Sequence, residues 1–90
     1  MYGIHRAPDD YERIVRRAKK LASQGDSAGI EILMSGFRWR YDTARNRAVE
    51  ALVSLGPTIT PHLLRVLRTA ETAVERRAAV DGLGLLKSKD

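Results

Sequence analysis

The sequence predicts an all-α protein, a short α-α superhelix of five helices making about two and a half stacked repeats. Three observations predict it. First, a segment returns: Thr43-Ala44-Arg45-Asn46-Arg47-Ala48-Val49-Glu50-Ala51-Leu52 aligns with Val74-Glu75-Arg76-Arg77-Ala78-Ala79-Val80-Asp81-Gly82-Leu83 at an offset of 31. Arg45 falls on Arg76, Ala48 on Ala79, Val49 on Val80, Glu50 on Asp81, Leu52 on Leu83 and Leu55 on Leu86. A period between about 20 and 50 residues marks stacked supersecondary units. Second, apolar residues recur every three or four positions, the spacing of a helix face. Third, start and stop signals divide the chain into five segments of helical length.

The first helix is expected from about Asp9 to Ser23, with Asp9 as N-cap and Glu12 three residues on, as in a capping box. Its stripe is Tyr11, Ile14, Val15, Ala18, Leu21 and Ala22, and Gly25 ends it. Asp26 or Ser27 caps the second, roughly Ala28 to Arg38. Gly29 and Gly36 weaken it by about 1 kcal/mol each relative to alanine. The third runs from about Asp42 to Leu55, capped by Asp42 or Thr43, and stops at Gly56-Pro57. The fourth starts with Thr60 as N-cap and Pro61 at the first helical position, where a missing N–H costs nothing. It ends near Thr69. The fifth begins at Thr72, with Glu75 completing another capping box, and runs to about Leu86. The tail Lys87-Ser88-Lys89-Asp90 is expected to fray, and residues 1–8 to be flexible.

The first helix maps onto the third at an offset of 30: Ile14 on Ala44, Ala18 on Ala48, Leu21 on Ala51, Ala22 on Leu52. The second maps onto the fourth at the same offset: Leu33 on Leu63, Met34 on Leu64, Gly36 on Val66, Phe37 on Leu67, Arg38 on Arg68. The chain thus reads as one domain with repeat 1 at 9–38, a divergent copy, repeat 2 at 42–69 and a half repeat at 72–86. Short connections make neighbouring helices antiparallel. Each pair needs the next to cover its apolar face.

The segment Arg76-Arg77-Ala78-Ala79-Val80-Asp81-Gly82-Leu83-Gly84 is similar to the A-helix signature of HEAT-like repeats, especially the phycobilisome-lyase-type subgroup. Ala44-Arg45-Asn46-Arg47-Ala48-Val49-Glu50-Ala51-Leu52 resembles it too. Pro61-His62-Leu63-Leu64-Arg65-Val66-Leu67-Arg68 looks like the partner B-helix. The resemblance covers about Asp42 to Leu86 well, while Asp9 to Arg38 keeps the stripe without the signature. It implies a scaffold that binds proteins, in some relatives nucleic acid, rather than an enzyme; proteins with lyase activity are much longer. It also implies that Arg45 and Arg76 bridge neighbouring units, that Ala48, Ala51, Ala79 and Gly82 are small where helices approach, and that Leu52 and Leu83 fill the core.

Composition bounds the remaining chemistry. The 90 residues are 43% apolar and carry no cysteine, which excludes disulfides and cysteine-ligated metals and points to a reducing, cytoplasmic setting. A chain this short buries only a little over ~60% of its unfolded surface. No apolar run approaches the ~18 residues of a membrane span, and Met1-Tyr2-Gly3-Ile4-His5-Arg6 lacks the apolar core of a secretory signal. His5 and His62 have no acid or serine placed to form a dyad, so no catalytic residue is expected. Two distant histidines make no metal site, and no cofactor-binding loop is present, since Gly82-Leu83-Gly84 lies within a helix.

The positive signal is basic surface: 16 Lys and Arg against 11 Asp and Glu, net +5. Arg13, Arg16, Arg17 and Lys20 form a stripe opposite the apolar face of the first helix, read either as a solvated outer face or as a phosphate-neutralising one. Arg38, Arg65 and Arg68 belong to B helices, which line the concave side of such arrays. Phe37-Arg38-Trp39-Arg40-Tyr41 interleaves aromatics with arginines, either to stack on a partner or to plug the joint between units. The partner-binding set is therefore Arg38, Trp39, Arg40, Arg65 and Arg68. The fifth helix has no B partner, so its apolar surface is expected to meet another protein or a second copy, as a homodimer through the C-terminal helix. The reading is a non-enzymatic protein-binding scaffold, with nucleic-acid binding through the arginines as the alternative and no membrane partner.

Overall fold

The computed structural model describes residues 8–88, and the expectations for His5, the N-terminal segment before Pro8 and the last two residues lie outside them. Among the described residues there are five α-helices and no strand: α1 (Pro8–Ser23), α2 (Ser27–Ser35), α3 (Asp42–Ser54), α4 (Thr60–Thr69) and α5 (Ala73–Ser88). Two 3-10 turns, Gly36–Arg38 and Pro57–Ile59, sit between α2 and α3 and between α3 and α4.

The helix ends follow local chemistry, though not always the residues expected. α1 starts at Pro8, so Asp9 lies inside its first turn rather than capping it. It closes in a Schellman turn: Asp26 N–H donates to Leu21 O at 3.0 Å, Gly25 N–H to Ala22 O at 3.0 Å. Gly25 takes φ 87°, a conformation that costs glycine nothing. Asp26 then caps α2, its carboxylate accepting from Ala28 N–H at 2.9 Å.

α2 is shorter than expected. Its last turn tightens at Gly36 into the 3-10 segment, which leads into extended backbone at Trp39. α3 has Tyr41, not Asp42 or Thr43, at its N-cap, with no side-chain bond there. The Asp42 carboxylate is turned onto Arg45 instead. Gly56, at φ 88°, stops α3, and the following 3-10 turn carries Ile59 into the core at 0% exposure. That turn already aligns the backbone for α4, so Thr60 is helical and caps nothing.

At α5 the expected box forms in a local variant. Glu75 N–H donates to Thr72 Oγ1 at 3.2 Å, and the Thr72 hydroxyl donates to Glu75 Oε1 at 3.0 Å. The helix continues past Leu86 to Ser88, whose hydroxyl donates to Gly84 O at 2.8 Å.

α1 packs on α2 and α3, α2 also on α3, and α5 on both α3 and α4. One core cluster joins all five helices, with Phe37, Leu33, Leu52, Ile59 and Leu63 its largest fully buried side chains. Each such side chain contributes on the order of 1.5–3 kcal/mol by leaving water. The two glycines read as weak points of the second helix are contact points. A Cβ on Gly29 would stand 2.3 Å from Ala18 O, and one on Gly36 2.7 Å from Ala48 Cβ. α2 can lie against α1 and α3 only because those side chains are missing.

Equivalent positions of the two segments share their inner faces but not their outer ones. Ala48 and Ala79 are both 0% exposed. Val49 is 5% exposed beneath α5, whereas Val80 is 54% exposed. Met34 is 9% exposed and Leu64, its counterpart, 42%. Leu52 is fully buried and Leu83 only partly.

Candidate interaction surface

The five residues assigned to a partner surface fall into two settings. Arg38, Trp39 and Arg40 occupy the end of the 3-10 turn and the link to α3. Arg65 and Arg68 lie one turn apart on α4. All four arginines are exposed and Trp39 is half-buried.

Trp39 serves the joint. Its ring lies 4.8 Å from that of Tyr11, tilted by 45°, and Tyr41 meets Tyr11 edge-on at 5.9 Å. Tyr11, buried on α1, is therefore gripped by two aromatics of the α2–α3 link. Phe37 is buried outright, at 1% exposure. Of the aromatic-arginine run, the arginines and part of the Tyr41 ring remain turned to solvent.

Arg45 holds the same link from below. Its Nη1 donates to Trp39 O and, at 3.1 Å, to Arg40 O, while Nη2 pairs with Asp42. This positions the Arg38–Arg40 stretch, and the short-range pattern Asp-x-x-Arg at the start of α3 is the signal that could have revealed it. Arg76, its equivalent, is exposed and makes no such bridge among the described residues. The reason is local: Ala73 stands where Asp42 does, so no carboxylate orients the guanidinium.

Arg65 reaches back to α2. Its Nη2 donates to Glu31 Oε2 at 2.9 Å and lies 3.8 Å from Met34 Sδ. With side chains 46% and 57% exposed, this pair is worth on the order of 0.2–1 kcal/mol, enough to orient the two helices and too little to hold them. Arg68, one turn on, is exposed and outside every ion pair of the described residues. On α1, Arg13 pairs with Asp10, while Arg16, Arg17 and Lys20 stay exposed. Arg47 of α3 lies 3.6 Å from both Glu12 and Glu50, linking α1 and α3. His62 is half-buried.

A cleft of about 430 Å³ between α3 and α5 is lined by Asp42, Arg45, Asn46, Arg77 and Asp81, which mix both charge signs. Among the described residues no three His, Asp or Glu side chains converge. No described helix is long and apolar enough to cross a membrane.

No known protein family, curated protein or solved structure matches this chain. The class that the described residues define is a small all-helical protein with an exposed arginine surface.

Proposed function

We propose that the chain is a non-enzymatic binding module of HEAT-like, α-α superhelical type, which mediates protein–protein interaction or assembly. Its docking surfaces are the concave face lined by α2 and α4, with Arg38, Arg40, Arg65 and Arg68, and the open end at α4–α5. The observation that carries this reading is the unequal cover of equivalent positions. Val49 is buried beneath α5 and Met34 is buried with the Arg65 side chain against its sulfur, whereas Val80 and Leu64 are exposed. Arrays of stacked units bind along their curved flank and at uncovered ends. A cytoplasmic scaffold of this kind needs no cofactor.

Nucleic-acid binding is the second reading, favoured by Arg16, Arg17 and Arg68, which are exposed and in no ion pair among the described residues. A salt titration separates the two. On the scaffold reading, labelled single-stranded and duplex oligonucleotides bind weakly at ~50 mM salt, and a protein partner recovered from source cells is lost with Arg38→Glu/Arg40→Glu. Tight oligonucleotide binding that falls steeply between ~50 and ~200 mM salt, and disappears in Arg65→Glu/Arg68→Glu, would establish the alternative.

A further inference from the structure

We propose that the groove between α4 and α5 is a seat for one acidic amphipathic helix of a protein partner. This rests on the repeat reading and names the chemistry of the partner at its open end. A connection of three residues, 70–72, makes α4 and α5 antiparallel. Leu63 faces Gly82, where an added Cβ would meet Leu63 Cδ1 at 3.1 Å. One residue further along each helix is a step of ~100°. In antiparallel neighbours those steps turn to the same side, so Leu64 and Leu83 flank one groove, with Leu67 and Leu86 a turn away along it. Leu64 is 42% exposed, and Leu67, Leu83 and Leu86 are only partly buried against the core.

The chain itself displays the filled version of this groove. Met34, Phe37 and Leu52, the counterparts of Leu64, Leu67 and Leu83, are 9%, 1% and 1% exposed. Arg65 of α4 reaches over Met34 to Glu31, and α5 packs against the turn that carries Phe37. The outer positions, left uncovered, suit a helix with leucine-sized anchors spaced i, i+4 and i+7.

Charge selects among such helices. Arg68 borders the groove on α4, and Arg76 and Lys87 border it on α5. None of the three is in an ion pair among the described residues, and they outnumber the acids at that end, Glu71 in the connection and Glu75, whose carboxylate accepts from the Thr72 hydroxyl. A second copy docking through a two-fold axis would set these cations against their own images, a like-charge contact that opposes pairing. An occupant with carboxylates flanking its apolar stripe meets them instead.

The test uses the full chain and a fluorescein-labelled peptide of about fourteen residues, with leucines at i, i+4 and i+7 and glutamates on both flanks. Anisotropy is expected to show binding that weakens at least about tenfold in Leu64→Asp and in Arg68→Glu/Arg76→Glu. A peptide with lysines for the glutamates is expected to recover affinity for the charge-reversed chain and to bind the native one poorly. Arg38→Glu/Arg40→Glu, away from the groove, leaves peptide binding unchanged. Equal affinity for acidic and basic peptides, binding indifferent to Leu64→Asp, or a dimer in sedimentation that Leu64→Asp dissolves would each overturn the proposal. If the peptide fails while a captured partner still depends on Arg38 and Arg40, the groove assignment falls and the scaffold reading stands.

Discussion

Gly29 shows how a single missing Cβ sets the distance between two helices. By propensity alone, alanine there would stabilise α2 by about 1 kcal/mol. The structure reverses the sign, because the new Cβ would stand 2.3 Å from the Ala18 carbonyl and 2.5 Å from the Ala22 nitrogen. Backbone atoms cannot swing aside as a side chain can, so α1 and α2 must separate. Gly29→Ala is expected to cost about 3 kcal/mol, read as a fall in the urea midpoint at unchanged slope. A neutral or stabilising outcome would mean that the two helices are not in contact there. This role was illegible in the sequence, where Gly29 counts only against the helix; its purpose depends on which turn of α1 lies opposite.

At the scale of elements, periodicity located the helices and local chemistry decided their ends. The five stripes were readable because each helix buries one face. The N-caps were less so, since Asp42 and Thr60 satisfy the sequence rule for a cap while the backbone puts both inside the helix. At Asp42 a nearby arginine competes for the carboxylate; before Thr60 a 3-10 turn already aligns the backbone. The Arg45 clamp makes an element-level prediction. It joins the α2–α3 link to α3 through two carbonyls and one carboxylate, with its side chain 19% exposed. Arg45→Ala should therefore lower stability by about 2 kcal/mol. Arg76→Ala, at the equivalent but unclamped position, should stay within about 0.5 kcal/mol. Chemical denaturation of the two variants in parallel checks this, and equal losses would contradict the assigned difference. The candidate surface was legible in part: the exposed arginines were, but the engagement of Trp39 with Tyr11 was not, because the two lie 28 residues apart in sequence.

Across the whole molecule, the two copies of the repeated segment stand in unlike surroundings. Val49 and Val80 occupy the same register, at 5% and 54% exposure. Val49→Asp would bury a charge without a partner beneath α5, and is expected to leave most of the population unfolded. Val80→Asp is expected to leave the melting temperature within about 3 °C of the parent. Circular dichroism on both variants decides the matter, and similar melting behaviour would show that the copies are not distinguished by the helices lying over them. The sequence identified the pair but could not say which member was sheltered, since shelter comes from the neighbour.

The tilted contact between Tyr11 and Trp39 also makes the indole a built-in reporter. As the sole tryptophan in the chain, it sits where α1 meets the α2–α3 link. Its emission therefore follows the loosening of that corner alone, while far-ultraviolet ellipticity averages over every helix. Divergence between the two signals on heating would reveal whether the first hairpin melts before the rest.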